Sequence, residues 1–310
     1  MKKIVAIVGP TAVGKTEITQ KLAEQFQAEI VSCDSMLFYK GFNIGTAKPK
    51  NFKVPHHMID CIEPYENFDV MKYKEQAGTI ISSLFKRDKN VFIVGGSGFY
   101  LRALMQGVYP SPPSSLHVRS ELEKRDLKSL YEELQEKDPE SAECLHPHDT
   151  YRIIRALEVY HLTGKKFSSF KTSFEAQKQE SSYDVLCIGL VRKREELYNR
   201  IDQRVLKMIE AGFEDEVKDL LKKYSEQVLN VKAIGYKQMI QYIQGTLSFE
   251  NCIKEIAKET RHYAKRQITW FRKVPGILWC HPELEQMKIQ GYIRKHLNEL
   301  KKYDGSVSSF

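Results

Sequence analysis

The stretch Gly9-Pro10-Thr11-Ala12-Val13-Gly14-Lys15-Thr16 follows the short apolar run Lys3–Val8 and opens a helical pattern from Lys15 to about Phe26. Its form, GxxxxGK[ST], arises by chance in roughly one chain in a hundred of this length. Its position removes most of that chance, because a glycine turn between a buried strand and a helix N-terminus is where a phosphate is held. Gly9 and Gly14 let the backbone wrap closely round phosphate oxygens, and successive N–H groups together with the helix dipole attract the anion. Lys15 offers a point charge to the terminal phosphates, and the Thr16 hydroxyl is placed to ligate Mg²⁺. These eight residues are the candidate site for a di- or triphosphate.

Working outward, Ala28–Cys33 reads as a second strand ending at Asp34. Val70, Tyr73, Ala77, Ile80, Ile81 and Leu84 recur at helical spacing, and Val91–Val94 is a third buried strand. Gly95-Gly96-Ser97-Gly98 follows, then a helix into Met105; Val185–Val191 and Ile277–Trp279 supply further strands. Such alternation predicts an α/β fold, a P-loop-containing parallel sheet flanked by helices. Tyr109-Pro110-Ser111-Pro112-Pro113 breaks both helix and strand, and the charged, helical pattern beyond it has no convincing buried strand. The expected division is a catalytic core of residues 1–112 plus 183–310, with a helical insertion at 113–182. The last residues, 304–310, read as a fraying tail.

What is missing near the loop narrows its chemistry. Motor ATPases and GTPases carry an Asp at the end of an apolar strand to hold the magnesium shell. Here the third strand ends in Gly95-Gly96-Ser97-Gly98, and the nearest acid at a strand end is Asp34. At that edge ligands bind in open α/β folds, so Asp34 is suited to take a proton from an acceptor nucleophile. A helix N-cap or a magnesium-shell acid are the other readings of it. With the phosphate loop beside it, the second glycine turn reads as close backbone approach to a ligand, with Ser97 offering a hydroxyl. Arg200, Arg204 and Lys207 flank the apolar stripe of one helix; spacing alone gives a solvated basic face, while phosphoryl-type transfer needs a further cation on the leaving group.

The 310 residues carry a net charge of +8, are 42% hydrophobic and 28% charged, and contain no apolar run of about 18 residues that would span a membrane. Met1–Ala6 runs straight into a strand with no small-residue cleavage site, so a cytoplasmic protein is expected. The six cysteines include no CxxC pair, which excludes the usual zinc-finger spacings and gives no reason for a disulfide framework. Charge is unevenly spread. Between Lys254 and Lys273 seven Lys/Arg face two acids, whereas between Glu121 and Glu140 eight acids face four bases. Within the basic segment Arg261, Tyr263, Lys265, Arg266, Trp270, Phe271 and Arg272 interleave cations with aromatics, which suits RNA phosphates and base stacking and equally suits a helix with aromatics in the core.

Taken together, GPTAVGKT (9–16), DSMLFYKGFNIGTAKP (34–49), VPHHMID (54–60), GGSGFYLRAL (95–104), HDTYRIIRALEVY (148–160), RIDQRVLKMIEAGFEDEV (200–217), AIGYKQ (233–238) and TRHYAKRQITWFRK (260–273) resemble the tRNA dimethylallyltransferases, or tRNA isopentenyltransferases, of the bacterial type. The matches are ordered and span nearly the whole chain. The resemblance implies dimethylallyl diphosphate as donor, bound with Mg²⁺ in the loop Gly9–Thr16, and the N6 amine of the adenosine just 3′ to the anticodon as acceptor. It makes Asp34 the general base and Arg204, with Lys15 and Thr16, the group that neutralises the departing diphosphate; Ser97 stands where the family often has Thr. It implies tRNA contacts at Asp34, Ser35, Met36 and Leu37; at Tyr151, Arg152, Ile153, Ile154 and Arg155; at Lys232, Ala233, Ile234, Gly235, Tyr236 and Lys237; and at Arg119. Lys265 and Arg266 add candidate phosphate contacts on the basic helix. No membrane partner is expected, and the chain is expected to be a monomer. An adenylate isopentenyltransferase, a small-molecule P-loop kinase and an RNA-binding protein with a nucleotide switch are the competing readings.

Overall fold

The computed structural model describes residues 1–66, 68–107, 111–170, 183–224 and 233–297. Lys232, Tyr109, Pro110 and the tail 304–310 therefore lie outside the described residues. Two compact units are present: residues 1–105 with 181–310, and residues 106–180.

The first unit is built on six parallel strands in the order β3-β2-β4-β1-β5-β6. They are β1 (Lys2–Val8), β2 (Ala28–Ser32), β3 (His56–His57), β4 (Asn90–Gly95), β5 (Tyr183–Leu190) and β6 (Leu278–Cys280). The central strand β1 is fully buried from Ile4 to Val8, as expected of a strand covered on both faces. Its alternating side chains feed two cores. Ile4, Ala6 and Val8 join Tyr73, Ala77, Ile81 and Leu84 of α2 (Val70–Lys86) and Leu101 and Leu104 of α3 (Gly98–Gln106). Val5 and Ile7 join Ile18 and Leu22 of α1 (Lys15–Gln25). The α2 stripe is the one its spacing predicts, and Asp69 caps the helix by accepting from the Met71 and Lys72 amides at 2.9 Å.

A third core gathers Val205 and Met208 of α8 (Arg194–Glu210), Phe213 and Val217 of α9 (Phe213–Tyr224), Tyr236 and Met239 of α10 (Tyr236–Ile243), and Ile256 of α11 (Phe249–Phe271) around Phe42. The last described helix, α12 (Gln286–Leu297), buries Ile289 and Ile293 beside α1 in the second core.

The 106–180 unit packs α4 (Leu116–Glu123), α5 (Leu127–Lys137), α6 (Pro139–Cys144) and α7 (Thr150–Thr163) around Leu122, Leu130, Leu134, Ile153 and Leu157. Buried Glu158 accepts from the Ser114 hydroxyl at 2.6 Å, the Ser115 amide at 2.7 Å and Arg155 at 2.8 Å, so this carboxylate is paired rather than stranded. Among the described residues, no helix is long and apolar enough to cross a membrane.

Candidate active site

Parallel pairing brings the carboxyl ends of β1, β4 and β2 to one edge, with Val8 beside Gly95 and Val94 beside Ser32. The phosphate loop, Ser97 and Asp34 therefore emerge side by side, one strand spacing of roughly 5 Å apart at each step. The loop turns at Gly9 (φ 147°) and Gly14 (φ 103°), conformations open to glycine and costly for other residues. Lys15 Nζ donates to the Gly9 and Pro10 carbonyls at 2.9 and 2.8 Å. The N–H groups of Lys15 and Thr16 open α1 and have no intrahelical acceptor, which leaves them to an anion.

The far side of the loop is gripped by long polar side chains. Arg192 Nε donates to the Val13 carbonyl at 2.8 Å and Arg200 Nε to the Ala12 carbonyl at 2.9 Å. Arg204 Nη1 donates to Thr11 Oγ1 at 3.0 Å and its Nη2 to the Thr46 carbonyl at 3.1 Å, while the Thr11 amide donates to Gln267 Oε1 at 2.8 Å. The spacing of Arg200 and Arg204 thus turns both inward, and Lys207 alone keeps the exposed position that a solvated face would give all three. The acids behind Arg192 were not legible in the sequence: Glu196 and Glu283 both pair with its guanidinium, and His281 adjoins them.

Asp34 is half-buried and caps its own turn, its Oδ1 accepting from the Met36 amide at 3.2 Å. Its charge acts on Lys15 of the loop and on Arg204 of α8. Burial pulls Lys15 down to about 8, with the Asp34 carboxylate opposing that shift and Arg204 adding to it. Burial likewise lowers Arg204 from its ordinary value, and Asp34 opposes it. The Tyr263 hydroxyl is pushed up by burial and by Asp34, and a hydrogen bond with Ser97 acts the other way. Ser97 Oγ also accepts from the Ser35 amide at 3.3 Å, tying the second glycine turn to the Asp34 turn.

The glycines of that second turn sit tightly against neighbouring parts of the chain. A Cβ at Gly95 would sit 2.6 Å from the Cys33 backbone, at Gly96 2.1 Å from Gln267 Nε2, and at Gly98 2.0 Å from the Trp270 ring. These close approaches are made by the protein's own groups. Tyr263, Gln267 and Trp270 form the inward stripe of α11, while Lys265 and Arg266 are exposed. Lys254, Lys258 and Arg261 pair with Glu250, Glu255 and Asp202, whereas Lys265 and Arg266 pair with no acid among the described residues. The aromatics of this helix pack inward and Lys265 and Arg266 face water, the geometry of a helix that seats its rings in the core and solvates its bases.

The remaining sequence candidates divide by accessibility. Ser35, Met36 and Leu37 are half-buried beside Asp34, and Lys237 is exposed. Ala233 and Tyr236 are buried and Ile234 half-buried; the Tyr236 hydroxyl donates to Glu216 Oε1 at 2.7 Å, and Gly235 (φ 94°) opens α10. Glu216 in turn accepts from the amides of Asn43, Ile44 and Gly45, which fixes the segment holding Thr46 under Arg204. In the helical unit Tyr151 is 65% exposed, with the Arg119 guanidinium 4.7 Å over its ring, and Arg152 is exposed. Ile153 and Ile154 belong to that unit's core, and Arg155 is engaged by Glu158, the Ser111 hydroxyl and the Pro112 carbonyl. The side chains of Ile153, Ile154, Ala233 and Tyr236 are buried, so a partner at these positions would meet chiefly their main chain.

The IPP transferase family model matches residues 37–274. The chain is similar to tRNA dimethylallyltransferase 2 of Geotalea uraniireducens, at 44% identity over 91% of this chain and 93% of the relative. The tRNA dimethylallyltransferase of Desulfatibacillum aliphaticivorans is 43% identical over 93% of this chain and 96% of its own. Among solved structures, the tRNA isopentenylpyrophosphate transferase of Bacillus halodurans superposes with a TM-score of 0.72 at 36% identity, covering 96% and 98% of the two chains. A eukaryotic dimethylallyltransferase acting on tRNA superposes with a TM-score of 0.77 at 30% identity, covering 95% of this chain and 78% of that one. A phosphate loop on a parallel sheet, the Asp34 carboxylate at the same sheet edge, and likeness over nearly the full length agree: the chain belongs to the IPP transferase family, the tRNA dimethylallyltransferases.

Proposed function

We propose that this chain transfers the dimethylallyl group of dimethylallyl diphosphate to the N6 amine of the adenosine 3′-adjacent to a tRNA anticodon, releasing diphosphate. The observation that carries this reading is the convergence of Asp34 with Lys15 and Arg204 at the phosphate loop, while β4 ends in glycines with no acid. A nucleotide hydrolase places an acid there for its magnesium shell. A carboxylate facing the loop from β2 instead suits proton removal from an acceptor.

In this mechanism the loop Gly9–Thr16 holds the diphosphate. The allylic C–O bond breaks with its electron pair going to diphosphate, and positive charge grows on carbon. The new bond forms from N6 to that carbon, and Asp34 takes the N6 proton. Lys15, Arg204 and the loop N–H groups meet charge that grows as the bond breaks, so they stabilise the transition state more than the ground state. An aryl amine is a weak nucleophile, which makes a placed base worthwhile.

The residues fit Mg²⁺: the Thr16 hydroxyl is exposed at the first turn of α1, makes no hydrogen bond with another described residue, and is the hard oxygen that this ion takes. Thr16 would hold it together with diphosphate oxygens, where it would add positive charge on the leaving group. For the tRNA, Lys265, Arg266 and Lys237 offer exposed cations that pair with no acid among the described residues, and the Tyr151–Arg119 stack supports assigning the helical unit to the anticodon arm. The target base must leave its stack to reach Asp34.

The deciding assay supplies labelled dimethylallyl diphosphate with either unmodified tRNA or AMP. Label is expected in tRNA alone. Label in AMP alone would make the enzyme an adenylate isopentenyltransferase.

A further inference from the structure

We infer that Gln267 is a positioning residue that sets the distance between the donor loop and the acceptor turn. This rests on the functional reading above, in which Thr11 belongs to the diphosphate loop and Asp34, whose turn is tied to Ser97 through the Ser35 amide, meets the acceptor. Gln267 is 5% exposed and lies on α11, far in sequence from both. Its single amide plane makes two bonds to two different turns. Oε1 accepts from the Thr11 amide at 2.8 Å, and Nε2 donates to the Gly96 carbonyl at 2.9 Å.

The amide is thus a spacer of fixed width. One side holds Thr11, whose hydroxyl receives Arg204, and the other holds Gly96, next to Ser97 and through it to Ser35 and Asp34. Gly96 has no room for a Cβ because Gln267 Nε2 occupies that place, 2.1 Å from where the carbon would be. A neutral amide accepts on one side, donates on the other and adds no charge beside a polyphosphate at any pH in the working range. Reaction between two bound substrates is sensitive to their separation: a displacement of about 1 Å can cost on the order of a hundredfold in rate. Two N–H···O bonds on one rigid plane resist that displacement. Gln267 touches neither substrate; it acts through the turns it joins.

The test is single-turnover prenyl transfer with Gln267→Met and Gln267→Glu. Gln267→Met keeps the volume and removes both bonds, and should lower the chemical rate by roughly ten- to a hundredfold with tRNA affinity nearly unchanged. Gln267→Glu keeps the acceptor for Thr11 but sets a carboxylate against the Gly96 carbonyl. Once protonated, the introduced carboxyl can donate to Gly96 again. Burial raises the pKa of such a group, so the variant-to-wild-type rate ratio should climb as pH falls from about 8 to about 6. A merely structural role would lower melting temperature without that pH-dependent recovery. A flat ratio across pH, or Gln267→Met within about threefold of wild type, overturns the inference. Absence of transfer by the wild-type enzyme would instead refute the functional reading.

Discussion

Replacing Asp34 by Asn isolates the proposed base with little disturbance of its surroundings. The Asn carbonyl can still accept from the Met36 amide, now 3.2 Å from Asp34 Oδ1, and the Leu37 amide still donates to the backbone carbonyl of residue 34. The turn should therefore persist, and with it the Ser35–Ser97 link. What goes is the charge and the capacity to take a proton. Loss of a general base lowers the chemical step by about 10²- to 10⁴-fold, or about 2.7–5.4 kcal/mol of transition-state stabilisation. A second effect follows from the site's electrostatics. The Asp34 carboxylate raises Lys15 against its burial, so removing it moves Lys15 further below its present value of about 8. Donor binding in the variant should weaken at a lower pH than in wild type. Rates measured under single turnover with saturating donor and an anticodon stem-loop separate the two effects, because saturation removes the loss in donor binding and leaves the chemical step. Retention of about a third of the wild-type rate, or a parallel loss of rate and tRNA affinity, would refute Asp34 as the base.

Lys15 itself gives a pH prediction: with a pKa pulled down to about 8, it is charged below that pH and loses its proton above it. A bound polyphosphate favours the charged form, so calorimetry above about pH 8 should detect proton uptake on donor binding and weaker affinity; no uptake there would contradict the assignment. Glu216→Gln leaves an amide that can accept only part of what the carboxylate takes from three backbone amides and the Tyr236 hydroxyl. Loss of about two charge-assisted bonds on a half-buried group should cost about 2–4 kcal/mol, read by calorimetry as a fall of roughly 5–10 °C in Tm, and an unchanged Tm would refute it. Neutralising Lys265 and Arg266 together should reduce the salt dependence of tRNA affinity by a slope of about 1.4–1.8, and an unchanged slope would remove them from the phosphate contacts. Gly98→Ala drives a methyl into Trp270 and should destabilise by about 1–3 kcal/mol, with partial recovery in the double variant with Trp270→Leu.

Much of this was legible in the sequence because it rests on short-range pattern. The loop Gly9–Thr16, the apolar runs of β1, β2 and β4, and the α2 stripe are each set by neighbours a few residues apart, and parallel pairing then obliges Asp34 and Ser97 to share an edge with the loop. The two-residue strand His56–His57 carries too little pattern to be seen. Gln267 was equally hidden, since its partners Thr11 and Gly96 are 256 and 171 residues away and a lone amide on a helix has no signature. The glycines at 95, 96 and 98 announced that something comes close but not what; only the fold shows that Cys33, Gln267 and Trp270 fill those places. The Ile153–Ile154 pair shows the converse limit, because a motif that marks a binding segment does not say which of its side chains face outward.

The inward stripe of α11 also limits how this enzyme can change. Tyr263, Gln267 and Trp270 are four and three residues apart, the helical repeat, and each meets a different part of the edge: Ser97, the Thr11–Gly96 pair and Gly98. One residue added or lost between them would rotate the later members by about 100° and slide them about 1.5 Å along the axis, breaking several fits together. Substitutions within this segment can be tested by selection one at a time, but a change in its length cannot be reached through small, tolerable steps. Insertions and deletions in evolving or engineered versions should therefore collect in the loops and spare residues 263–270.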